Sequence, residues 1–208
     1  DGHTLAIKGD GTLWAWGDNL RGTLGDGTTT NSLLPIQIGG DTDWQNISAG
    51  EFHSLAIKAD RTIWGWGSNA RGALGDGTYI VERYTPTQIG SDTNWQSIAA
   101  GRRQTLAIKI DGTLWAWGKN SEGQLGDGTI VDRRSPTQIG SDTNWKSIAA
   151  GDIHTLAIKN EGSLWAWGTN YYGQLGSDYY GLILYPVQDW PTLKIRWSKV
   201  AAGGHSHY

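Results

Sequence analysis

Cysteine and methionine are absent from the 208 residues, phenylalanine occurs once and proline five times. Without cysteine there is no disulfide framework and no thiolate to act as nucleophile or metal ligand. That absence leaves the compartment open, an extracellular or cell-surface position in a bacterium being one reading. An excess of basic charge is missing too. The 17 Lys and Arg against 20 Asp and Glu give a net charge of -3, so the chain lacks the broad positive field that non-specific nucleic-acid binding uses, and no nucleic acid is expected as a partner. No apolar run approaches the roughly 20 residues needed to span a bilayer, and no charged-then-apolar leader precedes the first repeat. The chain as given reads as soluble, with no membrane insertion.

What the sequence has instead is 31 glycines and 13 tryptophans, a mixture suited to short strands and tight turns rather than to helices. Trp14, Trp64, Trp115 and Trp165 are separated by 50, 51 and 50 residues, and Pro35, Pro86, Pro136 and Pro186 keep the same period. Trp44, Trp95, Trp145 and Trp197 mark it a third time. A fixed period of this size is the signature of a propeller or solenoid, whose units bury their faces only against neighbours. The units run approximately 1–50, 51–101, 102–151 and 152–203, within one repeat domain covering 1–208.

Within the fourth unit, Thr155 to Lys159 and Ser163 to Gly168 read as two strands flanking a tight turn. Asp10-Gly11 and Asp111-Gly112 supply hairpin turns at the equivalent places. A third strand fits Pro136 to Ile139, where proline belongs at a strand start or edge, and a fourth fits Trp145 to Ala149. Four antiparallel strands per unit match a propeller blade. The fold class is therefore all-β, a β-propeller of four repeats with almost no helix. Alternation sends Trp115 and Trp117 to one side of their strand and Leu114 and Ala116 to the other, so bulky faces can meet small ones across a blade boundary. Trp14, Trp64, Trp115 and Trp165 are expected to be substantially buried there.

The run from Ala149 to Ile158, the strand Leu164-Trp165-Ala166-Trp167-Gly168 and the turn Gly173-Gln174-Leu175-Gly176 resemble the regulator-of-chromosome-condensation (RCC1) repeat family, especially its bacterial form. The resemblance covers nearly the whole chain and recurs four times. It implies a β-propeller, usually of seven blades, which at this period takes roughly 350 residues. Four units thus leave three arrangements open: part of a larger ring, a small closed ring, or an oligomer subunit. In the last two, Trp197 to Ala202 is expected to pair with the first blade or with an edge of another chain. Members of the family serve as exchange factors, light receptors, inhibitors and scaffolds, so the resemblance leaves the function unassigned.

No catalytic constellation emerges, and no enzyme activity, cofactor or metal is expected. His3, His53 and His154 share one repeat position with Gln104, which suits a structural hydrogen bond better than a ligand set. His205 and His207 lie near the chain end. Asp26-Gly27-Thr28, Asp76-Gly77-Thr78 and Asp127-Gly128-Thr129 suit turns better than calcium loops. Variation between repeats is more informative for binding, because fold maintenance explains what is constant. Glu51 and Phe52, Arg102 and Arg103, and Asp152 and Ile153 follow equivalent loop glycines and should share one rim. Tyr171, Tyr172, Tyr179 and Tyr180 accumulate in the fourth unit, where exposed aromatics can stack on sugars or anchor a protein. The leading reading is a noncatalytic protein-interaction or self-assembly module using these rim loops. The alternatives are a glycan-binding propeller and, behind it, a guanine-nucleotide exchange factor. The Trp-Ala-Trp-Gly setting of the tryptophans weakens a light-sensing analogy.

Overall fold

A computed structural model describes residues 2–188 and 195–203. The first sheet contains β1 (His3–Ile7), β2 (Leu13–Gly17) and β3 (Ser32–Gln37). The second contains β4 (Trp44–Ala49), β5 (His53–Lys58), β6 (Ile63–Ser68) and β7 (Glu82–Gln88). The third runs through β8 (Trp95–Ala100), β9 (Gln104–Lys109), β10 (Leu114–Gly118) and β11 (Arg133–Gln138). The fourth is β12 (Trp145–Ala150), β13 (His154–Lys159), β14 (Leu164–Thr169) and β15 (Leu182–Gln188). Every sheet is a meander in which sequential strands pair antiparallel. The only helical piece among the described residues is the short 3-10 turn Ala70–Gly72, so the expected all-β blades hold.

Local chemistry accounts for the hairpins. The Asp10 carboxylate accepts hydrogen bonds from the Thr12 amide at 3.0 Å and the Thr12 hydroxyl at 2.6 Å, while Gly11 takes the left-handed conformation that closes the turn. Asp60 with Thr62 and Asp111 with Thr113 repeat the arrangement. These hydrogen bonds, the Thr hydroxyl first, hold the carboxyls of Asp10, Asp60 and Asp111 below the usual range.

The blade phase differs from the sequence units in one respect. The strand that closes each sequence unit, such as Trp44 to Ala49, pairs with the hairpin of the next one, in this case β5. Sheets therefore straddle the boundaries at 50, 101 and 151, and the first sheet has three strands among the described residues. The expected pairing of Trp197 to Ala202 with the first blade is not found, since residues 195–203 form no strand. The Trp197 amide instead donates to the Gly162 carbonyl at 2.8 Å. Trp44, Trp95 and Trp145 make the same contact with Gly11, Arg61 and Gly112.

The core lies in the seams between blades. Leu55, Ile57, Ile63, Leu74 and Ile89 of the second blade pack on Trp95, Ala107 and Trp117 of the third. Leu106, Ile108, Leu114, Leu125 and Ile139 of the third meet Trp145, Ala157 and Trp167 of the fourth. Each blade thus offers an aliphatic face to a tryptophan-rich face. Trp95 stands edge-on to both Trp115 and Trp117, with centroids 5.9 and 6.0 Å away. Burial grades the tryptophans by depth. Trp14, Trp64, Trp115 and Trp165 are partly buried, the last three packed against the seam clusters, with the ammonium groups of Lys8, Lys58, Lys109 and Lys159 over their rings. The deepest indoles are Trp66, Trp95, Trp117 and Trp167.

Candidate interaction face

Meander topology brings the variable loops together. The link from β4 to β5 (residues 50–52) and the long link from β6 to β7 (69–81) leave the blade at the same end, and their counterparts do so in the following blades. Backbone hydrogen bonds tie the two links: the Ser68 amide donates to the Phe52 carbonyl, Lys119 to Arg103 and Thr169 to Ile153. The two sets of site residues expected from sequence, inner loops and tyrosines, therefore occupy one face.

At the centre of that face, repeated Ala-Gly pairs form the floor of a cavity of about 130 Å3, ringed by Glu51, Arg102 and Asp152. The Nε of Arg102 is 2.7 Å from Oε2 of Glu51 on the neighbouring blade. Beside it, the Arg103 guanidinium lies 5.1 Å from the Phe52 ring centroid, a cation–π contact across the same seam. Asp152 and Ile153 join His154, Leu156, Tyr172 and Gln174 around a second cleft of about 340 Å3. Tyr171 and Tyr180 meet edge-on at 5.1 Å, whereas Tyr179 lines a separate cavity with Leu182 and Val187. All four tyrosines are exposed.

The repeated histidine position is a bolt across the seam. His3 Nε2 lies 2.8 Å from Ser54 Oγ, and His53 Nε2 lies 3.0 Å from Thr105 Oγ1. Both hydroxyls donate their single proton to carbonyls, Ser54 to Thr23 and Thr105 to Ala73, so each imidazole must donate from Nε2. A cation would add a buried Nδ1 proton, and His53 Nδ1 has no hydrogen-bond partner. Burial accordingly pushes His53 down to about 3, with the charge of His3 adding to it. Burial also lowers His3 to about 4. Gln104 substitutes by donating from Nε2 to the Gly151 carbonyl at 2.5 Å. His205 and His207 lie outside the described residues.

Sequence reasoning passed over the buried asparagines at 19, 69, 120 and 170. Asn120 Nδ2 donates to the Asp127 carboxylate and to the carbonyls of Thr129 and Val131, while its Oδ1 accepts from the Leu125 amide. One side chain thus folds the whole long link. Its strict recurrence at the period was the available signal. Tyr79 to Tyr84 and Ile130 to Arg134 stand out in sequence as a variable stretch, but not the contact that sets the Arg134 guanidinium 4.1 Å from the Tyr79 ring centroid, nor the ion pairs Arg83 with Asp76 and Arg133 with Asp127. Burial alone would raise Asp127, but hydrogen bonds from Thr129, Arg133 and Asn120 outweigh it and hold the carboxyl below the usual range. Among the described residues no three His, Asp or Glu side chains gather as metal ligands.

Comparison with known proteins agrees with this geometry. Human WBSCR16 superposes with a TM-score of 0.86 at 23% identity over 98% of this chain and 54% of its own. Prp20p of Saccharomyces cerevisiae, described with its binding to Gsp1p and histones, gives 0.84 at 23% identity over 98% and 52%. In sequence, the Arabidopsis thaliana ultraviolet-B receptor UVR8 is 34% identical over 61% of this chain and 29% of its own length. The human E3 ubiquitin-protein ligase HERC2 is 30% identical over 62% of this chain and 3% of itself. The chain thus spans about half the length of the solved structures it matches and less of the curated relatives. A structure of Kap60 bound to yeast RCC1 (Prp20) superposes with a TM-score of 0.82 at 24% identity over 90% of this chain and 46% of that one. The RCC1-like domain profile matches residues 1–208, and the chain belongs to that family.

Proposed function

We propose that this chain is a noncatalytic protein-binding scaffold, and that the face formed by the inner loops and the tyrosine-bearing links holds its partner. The observation that carries the reading is convergence. Positions that vary between repeats, Glu51, Phe52, Arg102, Arg103, Asp152 and Ile153, emerge at one end of the blades together with the four tyrosines. The opposite end repeats nearly the same Asp-Gly and Asp-Thr turns. A rigid framework carrying dissimilar loops at one end is suited to selective contact, and an aromatic–arginine pair such as Phe52 with Arg103 is the composition found at interface centres.

The test is affinity capture with cross-linking. Wild type and Ser91→Arg, altered at the opposite end, should recover the same partner, and Phe52→Ala combined with Arg103→Glu should lose it. A strict monomer that recovers no protein sinks the reading. Glycan binding is the second reading, supported by the exposed Tyr172 and Tyr180 rings. A glycan array without signal removes it.

A further inference from the structure

Arg103 and Arg134 belong to the third blade, and each sets its guanidinium over an aromatic ring of the second. Arg103 lies 5.1 Å from the Phe52 centroid and Arg134 lies 4.1 Å from that of Tyr79. One contact is made at the inner link and the other at the outer strand, so together they mark the two ends of a single seam. Both blades of that seam are packed against a further blade on their other side. The next seam has nothing comparable, because Ile153 and Leu184 stand where Arg103 and Arg134 do.

The charge of this pair is left over. The other arginines at this end of the two blades, Arg71, Arg83, Arg102 and Arg133, face Asp132, Asp76, Glu51 and Asp127. Among the described residues neither Arg103 nor Arg134 forms an ion pair, and the Nε of Arg103 has no acceptor. An aromatic ring holds a guanidinium in place by cation–π attraction yet supplies no oxygen to its N–H donors. The close approach is built into the backbone as well, since a Cβ at Gly72 would lie 2.6 Å from the Arg134 Cα. Gln104 and Arg133 both pair with Gly118, so their backbones stand two strand spacings apart, about 10 Å. An extended peptide covers that distance in about three residues.

We infer that the loop end of this seam docks an extended acidic segment of a protein partner, with two carboxylates about three residues apart, one on Arg103 and one on Arg134. A carboxylate matches the guanidinium fork with two parallel hydrogen bonds. Two separate cations suit two separate carboxylates. A polyanion such as nucleic acid is opposed by the adjacent Glu51, Asp127 and Asp132 and by the net charge of -3. Ile80 and Val81, exposed beside Tyr79, offer apolar contact to the segment's remaining side chains. The inference rests on the protein-binding reading of this face and adds the chemistry of its partner.

The experiment titrates the chain with a short acetylated peptide carrying two glutamates three positions apart, and with the same peptide carrying glutamines, while NMR follows arginine Nε–H and backbone amide signals. Saturable shifts at Arg103 and Arg134 are expected with the glutamate peptide, weakening as salt is added, and none with the glutamine peptide. Arg103→Lys with Arg134→Lys keeps both charges but removes the fork, and should weaken the glutamate peptide about tenfold with the thermal midpoint retained. Arg103→Gln with Arg134→Gln should abolish binding. Binding that survives in the glutamine variant overturns the inference, and if that variant does not fold, undiminished binding by the lysine variant does so instead. Equal shifts with the glutamine peptide, or a preference for a short DNA duplex, overturn it too. Peptide binding with no partner recovered by affinity capture defeats the face reading alone, and capture undiminished by the Arg103→Lys, Arg134→Lys variant defeats the acidic-segment inference alone.

Discussion

His53 Nε2 lies 3.0 Å from Thr105 Oγ1 across the seam between the second and third blades, with the imidazole fully enclosed. This contact makes stability depend on pH in a definite direction. The folded-state values, about 3 for His53 and about 4 for His3, lie below an unfolded value near 6.5. The unfolded chain therefore binds more protons in this interval. Stability is complete above pH 6.5 and is lost as pH falls toward the folded-state values. Each histidine should remove about 2 kcal/mol between pH 7.5 and pH 5, a window in which ordinary carboxyls stay ionised. Gln104 shows that the fold accepts glutamine at this position. His53→Gln should therefore fold and lose about half of that acid sensitivity, read from urea midpoints at the two pH values. Identical losses in variant and wild type would contradict the assignment.

The depth of each indole sets its contribution. Trp117 is fully enclosed and stands against Trp95, whereas Trp115 is half-exposed and ends in a hydrogen bond from its Nε1 to Thr113 Oγ1 at 2.9 Å. Trp117→Ala should cost about 3–5 kcal/mol, since the seam cannot close over a missing indole. Trp115→Ala should cost measurably less in the same denaturation experiment, because water already reaches that ring. The reverse ranking would mean that the outer tryptophan holds the seam.

Asn120 should tolerate even a conservative change poorly. Asn120→Asp replaces a donor with a second carboxylate facing Asp127 and frees the carbonyls of Thr129 and Val131. A loss on the order of 3 kcal/mol is expected from the unpaired groups. Faster amide exchange should appear in residues 120–132 before the sheets are affected. Exchange that is unchanged there would remove the asparagine from its organising role.

Strands, hairpins and blade repeats were legible because glycine turns and period-two alternation are local, and the period copies them four times. The blade phase was not legible. Trp44 to Ala49 follows one hairpin and precedes another, and only pairing in space decides that it joins β5. The depth of Trp64 relative to Trp66 was likewise hidden, because alternation places both on one face and says nothing about distance from the seam's end. For the candidate site, equivalent glycines located the inner loops. The contacts of Arg102 with Glu51 and Arg103 with Phe52 join residues about fifty positions apart, and no local pattern announces them.

The last prediction separates backbone strain from contact at two glycines of the second blade. Gly75 and Gly90 both hold positive φ, at 80° and 66°, a region that strains any residue with a side chain. Their surroundings differ. A Cβ at Gly75 would lie 2.5 Å from Trp117 Nε1 and 2.7 Å from its Cδ1, whereas at Gly90 nothing lies within 4 Å. Gly90→Ala should therefore cost only the strain, about 1–2 kcal/mol. Gly75→Ala must also displace an indole packed on all sides, adding about 1–3 kcal/mol. It should also red-shift tryptophan emission as the ring moves from the seam, a signal that Gly90→Ala lacks. Equal losses and unchanged emission in both variants would mean that the loop glycine serves its own turn and not the approach of Trp117 from the next blade.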